Sequence, residues 1–101
     1  MPSARLTPKA RSDLAAAIRW ISRDNPSAAR GLGKAVVAAA KRLGDHPDLG
    51  RERLDLTTSQ YRTFALTGYP YVVIYDAALR PPIIIRILHG ARDLPETLSD
   101  L

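Results

Sequence analysis

Ile83-Ile84-Ile85-Arg86-Ile87-Leu88-His89-Gly90-Ala91-Arg92-Asp93-Leu94-Pro95-Glu96-Thr97-Leu98 is the stretch that decides how this chain folds. Its first half is apolar and β-branched except for Arg86, the composition of a strand buried on both faces. At His89-Gly90 the pattern turns polar, and it stops at Pro95. Such a strand carries His89, Arg92 and Asp93 to one end of a sheet, and the rest of the chain reads as the scaffold that the strand completes.

Immediately upstream lie two more segments of period two, Tyr61 to Leu66 and Tyr71 to Asp76, rich in aromatic and β-branched residues. Thr67-Gly68 and Ala77 to Pro82 connect them, short enough to make neighbouring strands antiparallel. Pro70 has no amide to donate and belongs at the start of its strand. Asp48 to Gln60, with Arg51-Glu52-Arg53, is polar and turn-prone.

The first half has a different period. Thr7-Pro8 and Asn25-Pro26 each place a capping side chain before a proline at the first helical position. Ala10, Leu14, Ala17, Ile18 and Ile21 recur at helical spacing, as do Ala28, Leu32, Ala35, Val36, Ala39 and Leu43. Gly31 and Gly33 each weaken the second helix by about 1 kcal/mol relative to alanine, and close approach to the first helix explains them. Gly44, followed by Pro47, is the expected stop. Two helices joined by so short a turn pack antiparallel, and Ser3 to Leu6 before them reads as a short strand. The predicted fold is α+β in two layers: an N-terminal strand and an αα-hairpin, packed on a curved, mainly antiparallel sheet of three to four strands, with the far sheet face partly open.

The composition excludes several classes. At 101 residues, 46% hydrophobic and 25% charged, the chain is one ordinary globular domain spanning residues 1–101. It has no cysteine, so disulfides and thiolate metal sites are ruled out. Its apolar runs are far too short for a membrane span. Met1-Pro2-Ser3-Ala4-Arg5 lacks the apolar core of a signal peptide, and a cytoplasmic address is expected. The net charge of +5 favours nucleic acid or an acidic protein as partner.

Catalytic motifs are scarce. There is no Gly-rich phosphate loop and no His-Glu-x-x-His motif, and neither a cofactor nor a metal is expected. Of two histidines, His46 lies in a proline-flanked turn and reads as solvated. His89 is either a general acid or base, or a ring that hydrogen-bonds the Gly90 turn. Arg86 within an apolar strand must pair with a carboxylate or reach solvent. Arg92 and Asp93 read as an internal pair that fastens the turn, or as a partner contact. Tyr61, Tyr69, Tyr71 and Tyr75 read as core and sheet face, with base stacking as the other use of such aromatics.

The ordered set Asp24-Asn25-Pro26-Ser27-Ala28-Ala29, His46-Pro47-Asp48-Leu49-Gly50-Arg51, Tyr61-Arg62, Tyr69-Pro70-Tyr71-Val72-Val73-Ile74-Tyr75 and Arg86-Ile87-Leu88-His89-Gly90-Ala91-Arg92-Asp93 resembles the ParE/RelE toxin superfamily. The match spreads over nearly the whole chain. Members of that superfamily are toxins of type II toxin–antitoxin pairs, and their fold is the one read from periodicity.

The resemblance implies one of two activities. RelE-like members cleave mRNA in the ribosomal A site, with basic residues and usually a C-terminal tyrosine or histidine. ParE-like members inhibit DNA gyrase by binding. Here Pro70 or Tyr71 stands where RelE-like toxins place a catalytic arginine. Arg92 matches the second basic position, and beyond Pro95 no catalytic aromatic follows. The ending is ParE-like, which implies a non-enzymatic gyrase inhibitor neutralised by a ParD-like antitoxin in a hetero-oligomer. The alternatives are a ribosome-dependent mRNA endonuclease and a non-toxic antitoxin-binding module. Candidate partner contacts are Arg62, His89, Arg92 and Asp93 for gyrase, with Arg62 placed beside the C-terminal segment; Trp20, beside the apolar stripe of the first helix, is either an antitoxin anchor or a core residue.

Overall fold

A computed structural model of the chain describes residues 2–52 and 60–93. In order they form β1 (Arg5–Leu6), α1 (Pro8–Ser22), α2 (Pro26–Asp45), β2 (Arg51–Glu52), β3 (Tyr61–Ala65), β4 (Tyr71–Asp76) and β5 (Ile83–His89). The sheet order is β1-β5-β4-β3-β2. β1 runs parallel to β5, and the remaining pairs are antiparallel. Among the described residues the sheet thus has five strands: the expected N-terminal strand, the three read from periodicity, and β2. The strand that periodicity missed is β2, whose two exposed residues, Arg51 and Glu52, carry no apolar alternation and pair only with Thr63 and Arg62.

Both helix starts follow the sequence reading. Thr7 Oγ1 accepts the Ala10 amide at 3.1 Å, and Asn25 Oδ1 accepts the Ala28 amide at 3.0 Å, satisfying amides that have no partner within the helix. Thr7 also donates to the Ile85 carbonyl at 3.2 Å, which ties the start of α1 to β5. The two helices cover one sheet face. Between the layers lies a core that includes Ala10, Ala17, Leu32, Val36, Leu43, Val73, Tyr75, Ile84 and Ile87. On α2, Ala29 and Ala40 are buried while Ala28 and Ala35 are only half-buried.

Three expectations change. A side chain at Gly31 would run into the Tyr69 hydroxyl, so the turn before β4, not α1, selects glycine there. A Cβ at Gly33 would stand 3.9 Å from the Ile18 side chain, ordinary contact that does not require glycine. Gly44 lies inside α2 rather than after it, because the helix continues through Asp45 and His46 is its C-cap. A Cβ at Gly44 would strike the Pro2–Ser3 backbone, which is strapped to α2 by the Ala4 amide donating to the Ala40 carbonyl at 2.8 Å.

The far sheet face is less open than expected. Ile74 is fully buried and Leu88 nearly so, in a second apolar cluster with Tyr61 and Ile85. None of the four tyrosines offers a bare stacking platform. Tyr69 donates to the Ala28 carbonyl at 2.9 Å, Tyr61 packs in the second cluster, and Tyr71 and Tyr75 are buried. Among the described residues no helix is long and apolar enough to cross a membrane.

Tyr75 closes the end of the sheet away from His89. Its hydroxyl donates to the Pro47 carbonyl at 2.6 Å and accepts the Gly50 amide at 2.8 Å. Burial lifts its pKa above the ordinary 10.0, opposed by the Gly50 amide and the charge of Arg62. Tyr75→Phe orphans the buried Gly50 amide and should lower unfolding free energy by about 1–3 kcal/mol in urea titrations at neutral pH. Because the folded state holds the phenol proton more tightly, that contribution is complete below pH 10.0 and is lost as pH rises through the folded value. Wild-type stability should therefore fall more steeply than that of Tyr75→Phe above pH 10; parallel slopes would exclude Tyr75 as the source.

Candidate functional site

The site begins with an irregularity in the central pairing. Tyr75 pairs with Ile84, but Ile74 pairs with Arg86, so Ile85 is an extra residue in β5. Side chains of a regular strand alternate faces, and residues an odd number apart point to opposite sides. The bulge breaks that parity. It lets Ile84 and Ile87 both enter the core beneath the helices, and it brings His89, opposite Tyr71, onto the helix side of the sheet.

β1 pairs with Ile83 and Ile84, so among the described residues β5 beyond them is an edge. α1 covers that edge through Asp13. Asp13 Oδ2 accepts from Arg86 Nε at 2.7 Å and from the Ile87 amide at 3.0 Å, and Oδ1 accepts from Arg86 Nη2 at 3.1 Å. The two side chains are 25% and 14% exposed. Hydrogen bonding to Asp13 raises the Arg86 pKa further, against the opposing effect of burial. Arg86 is therefore a structural arginine with its carboxylate found.

Above this pair a cleft of about 520 Å³ opens between α1 and the end of β5. Ala16, Ala17 and Trp20 form one wall; Tyr71, Ile87, Leu88 and His89 form the other; Arg92 and Asp93, with exposed side chains, complete the lining. Trp20 is 58% exposed, and the Arg23 guanidinium lies 5.2 Å from its ring centroid. Its position near the apolar stripe of α1 therefore leads outward, not into the core.

The His89 ring meets Tyr71 edge-on, with centroids 5.6 Å apart. Its Nδ1 accepts the Arg92 amide at 3.2 Å, and its carbonyl accepts the Asp93 amide at 2.9 Å. The ring thus fastens the turn after Gly90. As assigned by this bonding pattern, the neutral imidazole carries its proton on Nε2. Arg92 Nε and Nη2 reach the Asp93 carboxylate at 3.2 and 3.3 Å. Hydrogen bonding to Asp93 raises the Arg92 pKa, and hydrogen bonding to Arg92 holds Asp93 below the ordinary carboxylate value, with burial opposing in each case.

Four of the five candidate residues thus meet in one cleft: Trp20, His89, Arg92 and Asp93. Arg62 does not belong with them. It pairs with Tyr75, which in turn pairs with Ile84, at the opposite end of the strands from His89. There Arg62 bonds the Gly50 carbonyl at 2.9 Å and Glu52 at 3.1 Å, fastening β2 and the preceding turn. Its expected place beside the C-terminal segment is corrected accordingly. His46 is exposed, as read, and its amide donates to the Arg42 carbonyl at the end of α2. Asp13 was missed. An acid just inside a helix, with an unpaired arginine in a later strand, is a sequence signal of a cross-element pair, although it does not say which acid. The C-terminal stretch from Leu94 lies outside the described residues, and among those described no acidic or histidine cluster is placed to hold a metal ion.

Residues 4–94 match the family model described as ParE toxin of type II toxin-antitoxin system, parDE. Toxin RelE3 of Caulobacter vibrioides is 36% identical over 92 residues, covering 89% of this chain and 96% of that protein. A solved structure described as a chromosomal ParDE TA system from P. aeruginosa shares the fold, with a TM-score of 0.71 at 24% identity over 88% of this chain and 96% of that one. The family model, which spans every residue of the cleft, places this chain in the ParE toxin family of type II toxin–antitoxin systems.

Proposed function

We propose that this toxin inhibits DNA gyrase by binding, with the cleft between Trp20 and His89 as its contact surface, and that a ParD-like antitoxin neutralises it in a hetero-oligomer. The observation that carries the reading is the charge state of the cleft. Both its arginines already face carboxylates, Arg86 with Asp13 and Arg92 with Asp93, and His89 Nδ1 is committed to a backbone amide. Cleaving RNA through its 2′-hydroxyl requires a base, an acid and uncompensated positive charge at the phosphorane. With Arg86 locked to Asp13 and His89 Nδ1 held by a backbone amide, the described residues of the cleft offer no evident base-and-acid pair, which supports recognition rather than that chemistry.

An acidic antitoxin segment is supported by the outer face of α2. Arg30, Lys34 and Lys41 surround Val37, which is 71% exposed, and no acidic residue occurs from Pro26 to Gly44. Complementary charge on the partner would chiefly raise association rate and specificity. The cytoplasm is the compartment this reading assigns.

The test is controlled induction in cells with pulse-labelling of DNA and protein synthesis, followed by supercoiling assays with purified gyrase. DNA synthesis should fall first while translation continues, and the purified toxin should block supercoiling. Translation stopping first, with transcripts cut on ribosomes, would replace gyrase by the mRNA endonuclease reading, which the name of the RelE3 relative favours. No effect on either process would leave an antitoxin-binding module.

A further inference from the structure

We infer that Asp93 is an internal stand-in for a carboxylate of the bound protein partner, and that docking transfers Arg92 from Asp93 to that partner carboxylate. The inference rests on the gyrase reading and deepens it by naming the chemical group that the cleft takes.

The two ion pairs of the cleft differ in kind. Arg86 and Asp13 are joined at 2.7 and 3.1 Å, largely covered, and share the Ile87 amide. That pair is part of the scaffold. Arg92 and Asp93 are chain neighbours joined at 3.2 and 3.3 Å, with side chains 57% and 39% exposed. Charge-assisted bonds of good geometry run at about 2.7–2.9 Å, so this second pair is long, solvated and easily exchanged. Its carboxylate lines the same cleft as Trp20 and His89 and is open to solvent there.

What the cleft offers such a group is mainly donors. The acceptors Asp13 and Asp93 are occupied by arginines. The guanidinium of Arg92 has more N–H groups than Asp93 engages, and the neutral His89 ring carries its proton on Nε2. The complementary ligand is an oxyanion. Two features favour a protein carboxylate over a nucleic-acid phosphate. Among the described residues of the lining, the two arginines are matched by two aspartates, an arrangement less suited to a polyanionic backbone than a run of unpaired cations would be. Its apolar walls, from Ala16, Trp20 and Ile87, suit the hydrocarbon stem of a glutamate or aspartate and its neighbours.

The experiment measures binding of the full toxin to purified gyrase subunits, and separately to a labelled single-stranded oligonucleotide, for wild type, Asp93→Asn, Arg92→Ala and the double variant. Asp93→Asn keeps the shape of the side chain but no longer neutralises Arg92. It should bind gyrase about 3- to 10-fold more tightly than wild type, with that gain absent in the Arg92→Ala background. Thermal melts should show all four proteins folded, since an exposed pair contributes little to stability. Unchanged or weaker gyrase binding by Asp93→Asn would overturn the inference, making Asp93 a bystander or a direct contact. A gain confined to the oligonucleotide would also overturn it and identify the ligand as phosphate. If wild type binds neither gyrase subunit, the gyrase reading itself fails, a result distinct from these.

Discussion

Asp13→Ala is expected to lower the unfolding free energy by about 3 kcal/mol, the largest effect of breaking a polar contact in the cleft. Removing this carboxylate leaves the Arg86 guanidinium unpaired where little solvent reaches it, and orphans the Ile87 amide on the edge of β5. Each loss is a known cause of large destabilisation. In a chain of this size the change corresponds to a drop in melting temperature of roughly 12 °C or more. Asp13→Asn keeps one acceptor and should lose less. A double replacement, Asp13→Leu with Arg86→Met, removes both charges together and should recover most of the loss, though not the part due to the Ile87 amide. Calorimetry of the three variants decides the matter. If Asp13→Ala melts within 2 °C of wild type, the pair is not what closes α1 onto the sheet.

Trp20→Ala should leave stability almost unchanged and abolish tight target binding. The side chain is 58% exposed and among the described residues its ring is faced by the neighbouring Arg23 guanidinium, so its truncation opens no internal cavity. At an interface, a large aromatic on the wall of a concave site commonly carries 2 kcal/mol or more, roughly a 30-fold loss of affinity. Trp20→Phe should fall between. Melting curves together with gyrase titrations check both halves of the expectation. Wild-type affinity in Trp20→Ala would remove the cleft as the gyrase contact. Loss of antitoxin binding alone would return Trp20 to the role of an antitoxin anchor.

The helical hairpin was legible because its signals are local. Thr7-Pro8 and Asn25-Pro26 cap the helices where they stand, and the stripes of α1 and α2 repeat every turn, so each could be read without knowing its neighbours. β3, β4 and β5 were legible to within one residue for the same reason. β2 was not, because Arg51 and Glu52 are held in place by pairing with β3 and not by any preference of their own. Gly31 illustrates a subtler failure. Its small size was legible, but the atom it makes room for, the Tyr69 hydroxyl, lies on a turn far away in sequence.

Of the candidate site, the shared place of His89, Arg92 and Asp93 at one strand end was legible; that Trp20 faces them and Arg62 does not was not. His89, Arg92 and Asp93 follow one another in the chain, and the switch from apolar strand to polar turn marks them. Arg62, judged by residue type alone, turned out to fasten β2 at the other end of the sheet. By itself, then, the sequence determined the elements, their caps, the two-layer class and the chemistry available at the end of β5, because those depend on period and composition. Only the tertiary structure decided that Ile85 is a bulge, that His89 therefore faces the helix layer, and that Asp13 holds Trp20's helix against it. Those outcomes depend on register and on pairs more than 70 residues apart, and no local pattern carries that information.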